Sequence, residues 1–206
     1  MRIGWLVLFV LAVAGQAASG AQGEPNEAND PNYPADPNEL VRLKWDAVIS
    51  VLDNNELDQE AKDRQIDKIV SPIFDFGLMA KLSLGREHWP KFKGPQREKF
   101  TELFVKRLKK SYQEKIALYT DEQAFFKPAV EQKNKKIIQI PMELMCKEKE
   151  IAVLYKLRKV KDRWKIYDVE IEGVSILLTY RSQFDDILGS GTAEELLARL
   201  EEPAAR

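Results

Sequence analysis

The sequence has one cysteine and one histidine among 206 residues, and these two scarcities exclude a good deal. A lone cysteine, Cys146, forms no internal disulfide, so no covalent staple holds the fold. It stands in an alternating apolar run, where cysteine serves as a small buried hydrophobe. A lone histidine, His88, without a Cys/His cluster, leaves no usual zinc site and no base beside a serine or cysteine nucleophile. His88, next to Trp89 and Pro90, reads as a helix-end residue. Charge of one sign is also lacking. The formal net charge is −1, and even without the acidic stretch 22–39 the remainder is only mildly basic, too mild to argue for nucleic acid, which usually needs a dense basic face. There is no G-x-S-x-G and no P-loop, and Asp75-Phe76-Gly77 has neither the Gly-rich loop nor the H-R-D of a kinase around it. Asp168, Glu170 and Glu172 fall at two-residue steps on one strand face. They read as solvated carboxylates opposite Lys156 and Arg158, or as braces of the turn that follows. No catalytic residue, metal or cofactor is expected, and the chain does not read as an enzyme.

One long apolar run is present, Ile3–Ala14, too short for a comfortable membrane span. With Arg2 before it and Ser19-Gly20-Ala21 after it, the run reads as a secretory signal over 1–21, cleaved after Ala21, with Ser19 the alternative. Residues 22–38 hold four prolines and little that is apolar, the composition of a disordered linker. Glu24, Glu27, Asp30, Asp36 and Glu39 make residues 22–39 acidic, leaving the remainder mildly basic. That balance suits a scattered solvated surface with transient contact to a membrane. At 44% hydrophobic and 32% charged, residues 39–206 have the composition of one globular domain.

Helical spacing begins at Glu39 with Leu40, Leu43, Ala47, Val48 and Val51, and ends at Asp53-Asn54-Asn55. A charged surface helix is expected over Asp58–Val70. Ser71 and Pro72 read as the cap and first residue of a third helix, with Asp75 completing a capping box and Gly85 ending it. Phe74, Phe76, Met79, Leu82 and Leu84 make that segment apolar on more than one side. The longest helix is expected over Pro95–Tyr119, with a stripe of Phe100, Leu103, Phe104, Leu108, Tyr112, Ile116 and Tyr119. Two readings fit that stripe: a filled core, or the wall of a cleft holding an apolar ligand.

The second half alternates apolar and polar residues as strands do. Four are expected: a short edge strand at Ala124–Val130, then Ile138–Cys146, Ile151–Leu157 and Trp164–Ile171. Gly173 breaks the last strand, and Val174, Leu177, Leu178, Phe184 and Leu188 follow at helical spacing. Thr192 and Glu195 form a capping box for a final helix to about Glu201. The class is α+β, a curved antiparallel sheet of about four strands covered on one face by helices. An apolar slot is expected between helices and sheet, lined by Phe74, Phe76, Met79, Leu82, Phe100, Phe104, Leu108, Tyr112, Ile140, Met142, Tyr155, Val169, Val174, Leu177 and Phe184.

Three blocks carry a family resemblance: Phe74–Trp89 (FDFGLMAKLSLGREHW), Gln96–Tyr119 (QREKFTELFVKRLKKSYQEKIALY) and Trp164–Phe184 (WKIYDVEIEGVSILLTYRSQF). Together, over about residues 40–202, they resemble the toluene-tolerance family, the MlaC-type periplasmic phospholipid-binding proteins. The resemblance implies an NTF2-like fold enclosing the acyl tails of a phospholipid cargo. It also implies shuttling between an outer-membrane lipoprotein complex and an inner-membrane MCE-domain protein with its ABC transporter, as a monomer. Carriage is a physical necessity for such a cargo, since exposing about 30 methylenes to water costs on the order of 25 kcal/mol. The acidic, proline-rich N-terminal stretch and Lys91-Phe92-Lys93-Gly94, in place of a Ser/Thr-Pro helix start, depart from the family pattern. The alternatives are a small NTF2-like enzyme, which would need a polar pocket, and an interaction module with a filled core.

Overall fold

The structure, a computed structural model, describes residues 33–116, 123–133, 136–146 and 149–202. The signal expected over 1–21 and most of the linker lie outside them. The linker's last residues do not. Tyr33 donates its hydroxyl to the Trp164 carbonyl at 2.7 Å, and the Trp164 indole N–H donates to the Ala35 carbonyl at 3.2 Å. Asp36 then caps a helix that begins at Pro37 rather than Glu39.

Four helices come first: α1 (Pro37–Leu52), α2 (Gln59–Val70), α3 (Phe76–His88) and α4 (Gly94–Ile116). Asp58 caps α2 by accepting from the Ala61 N–H. Ser71-Pro72 opens only a short 3-10 turn, Ser71–Ile73. The cap of α3 is Asp75 itself, whose Oδ1 accepts from the Leu78 N–H at 3.0 Å. Gly85 breaks α3, as expected: its φ of +66° and ψ of −174° are not helical, and a short second helical piece runs on from it to His88. The described part of α4 ends at Ile116, so the expected continuation to Tyr119 lies outside the described residues.

Among the described residues the sheet has six strands: β1 (Gln123–Phe126), β2 (Val130–Glu131), β3 (Ile137–Cys146), β4 (Lys149–Val160), β5 (Arg163–Ile171) and β6 (Val174–Ser175). All strand pairings are antiparallel; β1 and β2 share one edge of β3, and the order onward is β3-β4-β5-β6. The expected edge strand is interrupted at Pro128, which falls between its two pieces, and Pro141 stands opposite the gap. Its carbonyl accepts from the Lys127 N–H at 2.9 Å. Its nitrogen therefore points to the same side, where it has no hydrogen to offer, and the neighbouring chain breaks between Phe126 and Val130.

Two further helices follow, α5 (Ile176–Leu188) and α6 (Ala193–Glu201). The expected capping box of α6 is present, with the Glu195 carboxylate accepting from the Thr192 N–H and Thr192 Oγ1 from the Glu195 N–H. α5 starts two residues later than its spacing suggests. Glu172 and Gly173 both have positive φ, 50° and 76°, which makes a two-residue turn of the mirror-image kind that suits hairpins. The turn returns the chain beside β5 for Val174 and Ser175 before the helix begins. The architecture is α+β, as expected. Leu40, Ile66, Met79, Leu84, Phe100, Phe104 and Leu108 from the helices and Ile140, Met142, Leu144, Ile151, Tyr155 and Leu157 from the strands share one buried apolar cluster. Among the described residues, no helix is long and apolar enough to cross a membrane.

Candidate functional site

Period-two alternation points one set of strand side chains toward the helices. The register places Ile140, Tyr155 and Val169 side by side across β3, β4 and β5, with Met142 beside Val153 in the next row. All five are at most 2% exposed. On the helical side, Phe100 and Phe104 stack at 5.9 Å between ring centroids. Phe184 of α5 meets both edge-on, at 5.4 and 6.2 Å, and Tyr180 meets Phe104 edge-on at 5.3 Å. Offset and edge-to-face contacts are the favourable arrangements of aromatic quadrupoles. Leu108, Met79, Leu177 and Phe74 are buried in the same cluster. Phe74 stacks on Phe76 at 5.6 Å, with the Lys109 ammonium 5.3 Å from the Phe76 ring centre on the half-buried side.

Eleven of the fifteen expected slot residues are thus buried in one cluster. Phe76 is half-buried at its rim. Two stand elsewhere: Leu82 is 37% exposed and Val174 60% exposed. Leu82 projects from the outer side of α3. Val174 was expected to point into the covered space as the first residue of a helix; instead it lies on β6, opposite Ile171, at the free edge of the sheet. Leu178, four residues on, is 61% exposed. Tyr112 lies in α4, with its side chain outside the described residues.

The corner between β5 and α5 holds polar residues the sequence reading undervalued. Asp168, read as solvated, is 4% exposed. Its Oδ2 accepts from Ser175 Oγ at 2.8 Å and from Lys156 Nζ at 3.1 Å, and its Oδ1 from the Leu177 N–H at 3.3 Å. Lys156 also pairs with Glu170. Ser175 Oγ caps α5 by accepting from the Leu178 N–H. Asp168 therefore braces the strand-to-helix turn, the other role open to it. Glu172 does the same work beyond it, its carboxylate accepting from the Ala152 N–H at 2.6 Å.

The cause is a bulge. Lys156 pairs with Asp168 but Leu157 with Ile166, so Tyr167 is an extra residue on β5. The bulge carries Asp168 off the apolar face and puts Val169 onto it. The signal was present in the sequence: the apolar positions change parity, from 164 and 166 to 169 and 171. Tyr180 was also missed, although it lies one helical turn before Phe184.

The buried cluster is made of aliphatic and aromatic side chains. Burial pushes the phenols of Tyr155 and Tyr180 above their ordinary pKa, so both are neutral donors. Among the described residues, no group of three His, Cys, Asp or Glu side chains is placed to hold a metal ion. A separate groove of about 430 Å3 lies between α4 and α6 and is lined by Leu103 and Leu200 and by the charged Lys106, Arg107, Lys110, Glu201 and Glu202. With five charged residues of seven it is a poor setting for acyl tails.

The fold is similar to the solved structure of a phospholipid-binding protein from Ralstonia solanacearum in complex with a phospholipid. The TM-score is 0.72 at 21% sequence identity, over 81% of this chain and 95% of that one. No curated protein sequence matches the chain. The family model described as MlaC protein matches residues 44–202, most of the chain and all three of the blocks that carry the resemblance, and on that match the chain belongs to the MlaC family.

Proposed function

We propose that the protein is a periplasmic phospholipid carrier that holds acyl tails between α3, α4, α5 and the apolar face of the sheet. The observation that carries this reading is the composition of that space. A stacked and edge-packed aromatic wall stands on the helical side, and a row of Ile140, Tyr155 and Val169 stands on the strand side, with no charge between. Such a surface favours hydrocarbon by about 25 cal/mol for each Å2 removed from water. The Ralstonia solanacearum protein of the same fold was solved with a phospholipid bound, which supports the reading. In this proposal residues 1–21 are a signal removed on export, 22–38 a linker whose last residues, from Tyr33, are tied to the domain, and 39–206 the lipid-binding domain. The carrier works as a monomer and assigns no catalytic residue. It would exchange cargo with an outer-membrane lipoprotein complex and with an inner-membrane MCE-domain protein and ABC transporter.

The test is extraction of the protein, purified from an exporting host, with organic solvent, followed by mass spectrometry. Diacyl phospholipid at close to one molecule per chain is the expected result, and chains free of lipid would sink the proposal. Val174→Glu serves as the control. Because Val174 is 60% exposed on the free sheet edge, outside the buried cluster, a charge there should leave both the melting temperature and the lipid content as in the parent.

A further inference from the structure

Tyr155 occupies the centre of the strand row, between Ile140 on β3 and Val169 on β5. It is fully buried. Its hydroxyl meets one partner, the Met142 Sδ at 4.0 Å. A thioether is a weak acceptor, and buried tyrosine hydroxyls ordinarily find an oxygen or nitrogen. The other buried hydroxyls of the described residues do so. Ser83 Oγ donates to the Ala80 carbonyl at 2.9 Å, Ser175 Oγ to Asp168 at 2.8 Å, and Tyr180 shares a contact with Ser111 Oγ at 3.4 Å. Tyr155 therefore presents a donor with spare capacity in the middle of an otherwise hydrocarbon surface.

The missing partner has a definite chemistry. It must accept a hydrogen bond, because burial keeps the phenol protonated. It must be neutral, because an anion has no counter-charge in this cluster and would be costly to desolvate. It must also belong to something mostly apolar, because Tyr155 and its contact Met142 lie in an apolar cluster. Acyl tails offer no acceptor and a phosphate is charged. An ester carbonyl, where the tail joins glycerol, meets all three conditions. Resting on the carrier reading above, we propose that the Tyr155 hydroxyl donates to an acyl-ester carbonyl of the bound lipid, so that the slot selects ester-linked over ether-linked glycerolipids.

The experiment compares a diester phosphatidylglycerol with the diether analogue of the same tail length, by competition on the delipidated full chain. The parent should prefer the diester by about tenfold, the worth of one net hydrogen bond. Tyr155→Phe keeps the ring and removes the donor. It should bind the diether as the parent does and lose the preference. Met142→Leu removes the sulfur and should keep the preference, which guards the test should Tyr155→Phe fold poorly. A parent without preference, a Tyr155→Phe variant that retains it, or equal weakening of both lipids in that variant would overturn the proposal. The last of these is the pattern of a bound water or of packing alone. A parent that binds neither lipid would overturn the carrier reading itself.

Discussion

Removing the Asp168 carboxylate measures how firmly the β5–α5 corner is held. In Asp168→Ala, the Ser175 hydroxyl and the Leu177 N–H lose an acceptor and Lys156 loses one of two carboxylates. Orphaning a buried charge outright costs about 3–5 kcal/mol. Here Glu170 remains on Lys156, so the loss falls below that range, at about 2–3 kcal/mol, mostly from the two unpaired groups. For a domain of this size that lowers Tm by roughly 6–10 °C. Asp168→Asn keeps an acceptor for Ser175 and loses the charge, and should cost about half as much. Burial works to lower the Lys156 pKa, but its bonds to Glu170 and Asp168 leave it above its ordinary value. A raised lysine contributes stability that is complete below its unfolded pKa and is lost only as pH rises through the folded one. Across neutral pH the variants thus report a missing carboxylate and not a titration. Urea unfolding of both variants, with Lys156→Met and the double variant completing a cycle, should return a coupling of about 1 kcal/mol. An Asp168→Ala variant within about 0.5 kcal/mol of the parent would mean a surface substitution and would refute the brace.

Two other perturbations test separate parts of the fold. Gly85→Ala places a side chain at φ +66° with its Cβ 2.5 Å from the Arg181 guanidinium. With ψ at −174° this is a conformation essentially confined to glycine, so the change should cost about 1–3 kcal/mol in backbone strain plus the displacement of Arg181. Thermal melting of Gly85→Ala with and without Arg181→Ala should separate the two, and no relief in the double variant would place the whole cost in the backbone. The second is alkaline stability. Tyr155 and Tyr180 have phenol pKa values raised by burial, so the unfolded chain releases protons first and stability should fall as pH rises past about 10. Urea midpoints that hold steady from about pH 8 to 11 would contradict this, and Tyr155→Phe should remove part of the fall.

Most of the helices and strands were legible in the sequence because their periods are. Ile138 to Cys146 and Ile151 to Leu157 alternate without interruption and form β3 and β4. Thr192 and Glu195 announce α6 because a capping box is local chemistry. Gly85 breaks the helical conformation where it reads as a helix stop, and a short helical piece follows it. What failed was the punctuation after β5. Gly173 looked like a strand end, and only the positive φ of Glu172 beside it makes a two-residue turn. That turn moves Val174 onto a sheet edge. The aromatic wall was foreseen from spacing, whereas the burial of Asp168 depends on partners from β4 and α5, Lys156, Ser175 and Leu177, which no window along β5 contains, although the bulge itself shows there as a change of parity.

Asp75 has a consequence for the order of assembly. Its carboxylate caps α3 through Leu78, its other oxygen receives the Arg158 guanidinium at 2.5–2.6 Å, and its N–H donates to the Ile166 carbonyl at 2.8 Å. The start of α3 is therefore fixed by groups on β4 and β5, 83 residues away in the case of Arg158. Closing a loop of that length costs entropy before any contact repays it, and folds dominated by such contacts assemble slowly. The first turn of α3 then forms late, once β4 and β5 have paired, and its amides exchange hydrogen with solvent mainly when the sheet itself comes apart.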